Sequence, residues 1–186
     1  MSKRFPIPQF DRDQYKNLSW SAPRLLTSEE RAGLIGKARA GDTSVYGSYA
    51  VAADDAFYER FQVKGDHRHA VMCLLPPGPT RLVGRSWAWP LQRALVVDSL
   101  DAQKARVVHD WKTPRPMNTR LGPQDGVAVE GVVYALFGHR FGDHWIGNRT
   151  LARRAGEAPS NAFEVLSASD EANNDFHACN LSFAWA

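Results

Sequence analysis

The chain has only two cysteines in 186 residues, too few for a disulfide framework. Cys73 lies in the apolar run at 69–75, and Cys179 alternates with Leu181, Phe183 and Trp185. Both read as small buried hydrophobes, which predicts a reducing compartment. No apolar run approaches the roughly 18 residues that a membrane-spanning helix needs. Met1 to Pro6 is followed by no apolar stretch of the secretory kind, so the expectation is a cytoplasmic protein, or one assembled into a particle made there. Common catalytic signatures are missing as well. There is no Gly-x-Ser-x-Gly elbow, no phosphate-binding glycine loop and no Cys-x-x-Cys. No cofactor is expected.

Charge is modest. Charged residues make up 23% and the formal net charge is +3, with an isoelectric point near 9.0. Such a balance helps an acidic partner approach without identifying one. The length favours one domain with a sizeable core.

What the chain does have is β-type patterning around one organising stretch, 126–145. The run Val127 to Phe137 carries four valines, which lose side-chain freedom in a helix. It predicts a strand covered on both faces, or one that bends at Gly131. His139 to Trp145 then forms a loop leaving that strand. Alternation predicts further strands at 67–75, 81–89, 94–97, 105–111, 162–168 and 176–185. Phe57, Phe61 and Val63 alternate with polar residues and predict a hairpin. Arg149 to Arg154 reads as a short helix. One strong helix signal stands near 28–40: Thr27-Ser28-Glu29-Glu30 is a capping box, and Gly41 is a natural stop. The expected fold is α+β, predominantly antiparallel β, sandwich or barrel-like, with one N-terminal helix. Residues 1–24 are expected to form an extended arm ahead of a single β-rich domain at 25–186. Pro6, Pro8 and Pro23 hold that arm extended, and Phe5, Ile7 and Phe10 anchor it on its own domain or a neighbouring subunit.

Four sets of residues carry candidate chemistry. His67 and His69 are two apart, which on a strand puts both imidazoles on one face, with Asp143, His144 or His177 as candidate third ligands of a metal site. Trp87 and Trp89 would share a strand face and, if exposed, offer a stacking platform for sugars, bases or a protein. Arg149, Arg153 and Arg154 would cluster on a helix and reach phosphate. The fourth set begins at Asp143-His144-Trp145-Ile146-Gly147-Asn148-Arg149 and continues through Asn161 to Glu164–Asp170. It resembles the HNH-type endonucleases. That resemblance implies a ββα site in which Asp143 holds a metal, His144 activates water and a later asparagine, Asn161, completes the centre.

The leading expectation is a non-enzymatic β-rich interaction or structural subunit of a larger assembly, with protein partners engaged through Phe5, Ile7 and Phe10. A viral or phage particle component would fit it. The alternatives are a metal-dependent HNH-like nuclease using Asp143 and His144, and a carbohydrate-binding module using Trp87 and Trp89.

Overall fold

The valine-rich run forms two strands rather than one. They belong to different sheets of a computed structural model that describes residues 12–88, 90–113, 119–123, 125–154, 161–169 and 174–186. In chain order the strands are β1 (Gly47–Val51), β2 (Val63–Lys64), β3 (Ala70–Leu74), β4 (Thr80–Ser86), β5 (Gln92–Val97), β6 (Val107–Lys112) and β7 (Thr119–Leu121). They continue with β8 (Val127–Val129), β9 (Val133–Phe141), β10 (His144–Gly147), β11 (Arg149–Arg154), β12 (Ala162–Ala168) and β13 (Cys179–Ala184). Between β8 and β9, Gly131 takes φ +70°, a left-handed conformation that glycine adopts at little cost. There the chain steps from one sheet to the other.

Sheet A is built on β9. One edge of β9 pairs with β5, which pairs in turn with β6. Its other edge is shared: β3 takes the first half, and β10 the second. β1 extends β3, and β2 extends β10 in the one parallel pairing among the described strands. Sheet B runs β11, β12, β13, β4, with β7 and β8 both beside the far edge of β4. The architecture is therefore a mostly antiparallel sandwich, as expected.

Alternation explains the layers. Val71, Cys73, Ala94, Val96, Val133, Ala135 and Phe137 of sheet A meet Leu82, Val129, Phe163, Val165, Leu181 and Phe183 of sheet B. The opposite face of sheet A, with Met72, Leu74, Leu95, Val97, Tyr134 and Leu136, packs against Ala38, Phe57, Tyr58 and Phe61. Sheet A is thus covered on both sides, which is why β9 reads as nearly unbroken apolar sequence. Cys73 and Cys179 are fully buried, and burial pushes both thiols up. They pack as small hydrophobes.

Two helices flank that face. The first, α1 (Ser28–Arg39), has the expected capping box: Thr27 Oγ1 accepts from the Glu30 amide, and Glu30 reaches back to the Thr27 amide. Gly41 ends it at φ +84°. The second, α2 (Asp55–Phe61), replaces the expected hairpin at Phe57 and Phe61. Those residues are four apart, a spacing that satisfies both a strand face and a helix face. Gln62 in a left-handed conformation then closes the helix. The expected helix at 149–154 is instead β11, paired residue for residue with β12.

The described part of the expected arm packs on its own domain. Tyr15, with Leu18 and Trp20 against it, joins Leu166, Ala168 and Phe176 on the outer face of sheet B. The Tyr15 hydroxyl donates to Glu164 at 2.8 Å, the Phe176 amide to the Tyr15 carbonyl at 2.7 Å, and the Trp20 indole to the Thr150 carbonyl at 3.0 Å. Phe5, Ile7 and Phe10 lie outside the described residues.

Candidate ligand-binding face

The structure separates most of the residues singled out in the sequence. His67 and His69 precede β3 rather than lying in it, so strand alternation does not align them. His67 stands edge-on to Trp20, with ring centroids 5.8 Å apart. His69 Nε2 hydrogen-bonds Thr150 Oγ1 at 2.8 Å. Asp143 is exposed at the tip of the β9–β10 hairpin, and His144 stands opposite Phe141. The helix that an HNH site requires after them is β11, followed by β12, so the ββα arrangement is not built. Asn161 is exposed before β12, where its carbonyl accepts from the Trp185 amide at 2.9 Å. Among the described residues no group of three or more His, Cys, Asp or Glu side chains is placed to hold a metal ion. Trp89 lies outside the described residues.

Two of the three arginines of 149–154 have structural work instead, and the side chain of Arg154 lies outside what is described. Arg149 donates to Asn174 Oδ1 and lies over the Trp20 and Phe176 rings. Arg153 makes two contacts with Glu164, at 3.1 and 2.8 Å, and lies over Tyr15. Glu164 is almost fully buried, so its charge is taken up by Arg153 and the Tyr15 hydroxyl. Burial first, then the Glu164 carboxylate, raise the Tyr15 phenol well above its ordinary value.

His69 gives this region a definite acid response. Burial, aided by repulsion from His67, holds its imidazole down to about 4. The unfolded chain therefore binds the proton more readily than the folded one. His69 stability is fully present above pH ~6.5 and is lost as pH falls toward 4, by up to about 3 kcal/mol. Urea unfolding of the His69→Gln variant between pH 7 and 4 is expected to show a flatter dependence than the parent. An unchanged slope would remove His69 as the cause.

The strands of sheet B carry Arg81, Arg85, Arg120, Arg149, Arg153 and Arg154, and their one acid is Glu164. β4 alternates strictly: Leu82, Gly84 and Ser86 face the sandwich interior, while Arg81, Val83 and Arg85 face outward. Across β4 the register places Asn180 directly opposite Arg85 on one side and Arg120 directly opposite Arg85 on the other. Directly opposed residues share a face with Cβ atoms about 5 Å apart, where like charges repel. Burial, then Arg120, pull Arg85 below its ordinary value.

The inner side of the same strands explains how that pair is held. A Cβ on Gly84 would meet Leu121 Cβ at 2.7 Å and the Trp111 ring at 3.2 Å, and one on Gly122 would come within 2.6 Å of the same indole. Trp111 of β6 therefore sits in a notch that two glycines leave open. It fixes β7 against β4, and so Arg120 against Arg85.

Asn180 completes the row. It is 5% exposed, and its Oδ1 accepts from the Ser167 amide at 3.1 Å. Its Nδ2 makes no hydrogen bond among the described residues, an arrangement that costs about 1–3 kcal/mol for a buried donor. Trp87 follows two residues after Arg85. Its amide donates to the carbonyls of His177 and Ala178, and its carbonyl is 2.7 Å from His177 Nδ1. The paired register of β4 with β13 ends at Ser86 and Cys179, and Trp87 lies half-buried just beyond it. Sequence reading found Trp87 but missed Arg85, Arg120 and Asn180.

No family profile and no curated protein sequence matches the chain. Among solved structures it is similar to the C-terminal domain of the BC2L-C lectin from Burkholderia cenocepacia, at 14% identity and a TM-score of 0.46 over 60% of this chain and 91% of that one. It is also similar to a high-affinity mannose-binding lectin from Ralstonia solanacearum, at 13% identity and a TM-score of 0.47 over 62% of this chain and 94% of that one.

Proposed function

We propose that the protein is a non-catalytic binding module that takes an anionic ligand on the outer face of sheet B. The observation that carries this reading is the register that sets Asn180, Arg85 and Arg120 side by side at outward-facing positions of neighbouring strands. An oxyanion there would meet two cationic side chains and an amide whose Nδ2 makes no hydrogen bond among the described residues. Paired guanidinium groups suit this chemistry because each presents several donors in a fixed planar fork. The basic strands around the row raise the local concentration of anions further.

Heparin serves as a general polyanion probe. Binding is expected at low salt and should weaken steeply as salt rises. Arg120→Ala, an exposed position, should lower affinity roughly five- to tenfold, in line with the loss of one charge-assisted contact of about 1–1.5 kcal/mol. No binding at low salt, or binding indifferent to Arg120, would overturn the reading.

The assembly role expected for the N-terminal arm rests on Phe5, Ile7 and Phe10, which lie outside the described residues. Tyr15, Leu18 and Trp20 pack within the chain and lend that role no support.

A further inference from the structure

We propose that the cleft between α1, α2 and the loop joining β5 to β6 takes a short zwitterionic peptide, with Arg31 and the Tyr134 hydroxyl on its terminal carboxylate and Asp54 on its ammonium group. The site lies on the helix-covered side of sheet A. It goes beyond the anion-binding face and shares no residue with it.

Four segments build the cleft. The first turn of α1 contributes Arg31, the link from β1 to α2 contributes Asp54, the β5–β6 loop contributes Leu100 and Asp101, and β9 contributes Tyr134. Its volume is about 870 Å³, within the roughly 300–1,000 Å³ of small-molecule sites.

Tyr134 is the first pointer to a ligand. The residue is 8% exposed, and its ring packs in the core with the two helices. Its hydroxyl makes no hydrogen bond among the described residues, and it is not one of the enclosed polar atoms. The hydroxyl therefore opens on the cleft that the residue lines. A phenol so placed is a donor without an acceptor. Burial raises its pKa, with Arg31 and then Arg39 pulling the other way, so it stays protonated and able to donate at neutral pH. The charged groups that act on it are both cations, a setting that suits a carboxylate as the acceptor.

Arg31 and Asp54 supply the charges. Arg31 is half-buried and forms no ion pair among the described residues. The adjacent Glu30 is already engaged, by Arg24 at 2.8 and 2.7 Å and by the Thr27 amide. Asp54 occupies the N-cap position of α2, yet its carboxylate makes no capping bond. Asp55 next to it pairs with Arg68 at 2.8 Å, whereas Asp54 forms no ion pair among the described residues. Opposite charges thus line one cleft without pairing with each other, and a zwitterion satisfies both. A dense polyanion does not: Asp54 and Asp101 repel it, and the N-terminus of α1 is capped from within the chain by Thr27 and Glu30. Size decides between the zwitterions. A single amino acid leaves most of the cleft to water, whereas a peptide of a few residues fills more of it, and Leu26, Leu100 and Ala56 give its side chains apolar contact.

Calorimetric titration of the full chain with trialanine tests the inference, beside its C-terminal amide, its N-acetyl form and free alanine. Trialanine is expected to bind, and loss of either terminal charge should weaken binding about tenfold, the worth of one charge-assisted contact. Free alanine should bind more weakly by at least as much. Arg31→Gln should act as amidation does. Tyr134→Phe removes the hydroxyl and keeps the buried ring, and should weaken binding roughly fivefold. Asparagine is a good N-cap residue, so Asp54→Asn should leave α2 intact and make binding indifferent to N-acetylation. Circular dichroism confirms that each variant is folded. If the amide binds as tightly as the free acid, the carboxylate assignment is wrong and the inference falls. Tight binding of the N-acetyl form removes the ammonium contact and with it the zwitterion. Should free alanine match trialanine, the peptide assignment is overturned. Absence of binding by every probe, or unchanged binding in both Arg31→Gln and Tyr134→Phe, overturns the site itself.

Discussion

Phe137→Ala is expected to destabilise the protein by about 3–5 kcal/mol. Phe137 is 3% exposed and lies on the side of β9 that faces sheet B, among Phe163, Phe183 and the small residues of β5. Sheet A is pinned on its other side by the two helices, so the layers have little freedom to collapse into the cavity. Phe141 provides an internal control. It lies on the same strand four residues on, but is 66% exposed, and its alanine variant should differ from the parent by no more than ~0.5 kcal/mol. Urea unfolding of both variants gives the comparison. A loss below about 1 kcal/mol at Phe137 would mean that the inter-sheet core is not where the stability resides.

Asn180→Asp is expected to stabilise the protein and abolish anion binding together. The substitution is close to isosteric. One carboxylate oxygen keeps the bond from the Ser167 amide, now at 3.1 Å to Oδ1. The other replaces a donor that makes no hydrogen bond among the described residues and comes to stand beside Arg85. The chain would then carry its own anion in the row. A charge-assisted contact of this kind contributes about 1–2 kcal/mol, a rise in Tm of roughly 2–8 °C for a protein of this size. Affinity for heparin should fall at least tenfold, because the guanidinium groups are already engaged. Thermal melts and the same binding assay decide the matter. If Asn180→Asp loses stability and binds heparin like the parent, the row is a structural feature of the sheet and not a binding site.

How much of this was legible in the sequence depended on range. The Thr27–Glu30 capping box and the Gly41 stop are local signals, and α1 formed where they stand. The alternation of Cys179, Leu181 and Phe183 was equally plain and became β13. Phe57 and Phe61 were ambiguous because a spacing of four fits both periods, and only the apolar face of sheet A selects the helix. Arg149 to Arg154 showed little apolar periodicity of its own, and pairing with β12 decided that it is strand. The candidate site was the least legible part. Arg85 and Arg120 are distant in sequence, and their opposition depends on the register of β7 against β4. That register is set by Trp111 seated over Gly84 and Gly122, a packing event among three separate segments. His67 and His69, two apart in the sequence, precede β3 rather than sharing a strand face, and they contact Trp20 and Thr150 respectively.

The two-sided pairing of β9 also shapes how the chain must be made. On a ribosome, β3 and β5 emerge well before β9, each already joined to β1 or β6 but with one edge open toward the strand still to come. At about 5–20 residues per second, those open edges stand unpaired for several seconds while the intervening chain is synthesised. The docking of Tyr15 waits longer still, since Leu166 and Phe176 lie near the end of the chain. Nascent chains should therefore be most prone to aggregate, and most dependent on holding chaperones, in the interval before residue 141 clears the exit tunnel, with recovery once β9 inserts between its waiting neighbours.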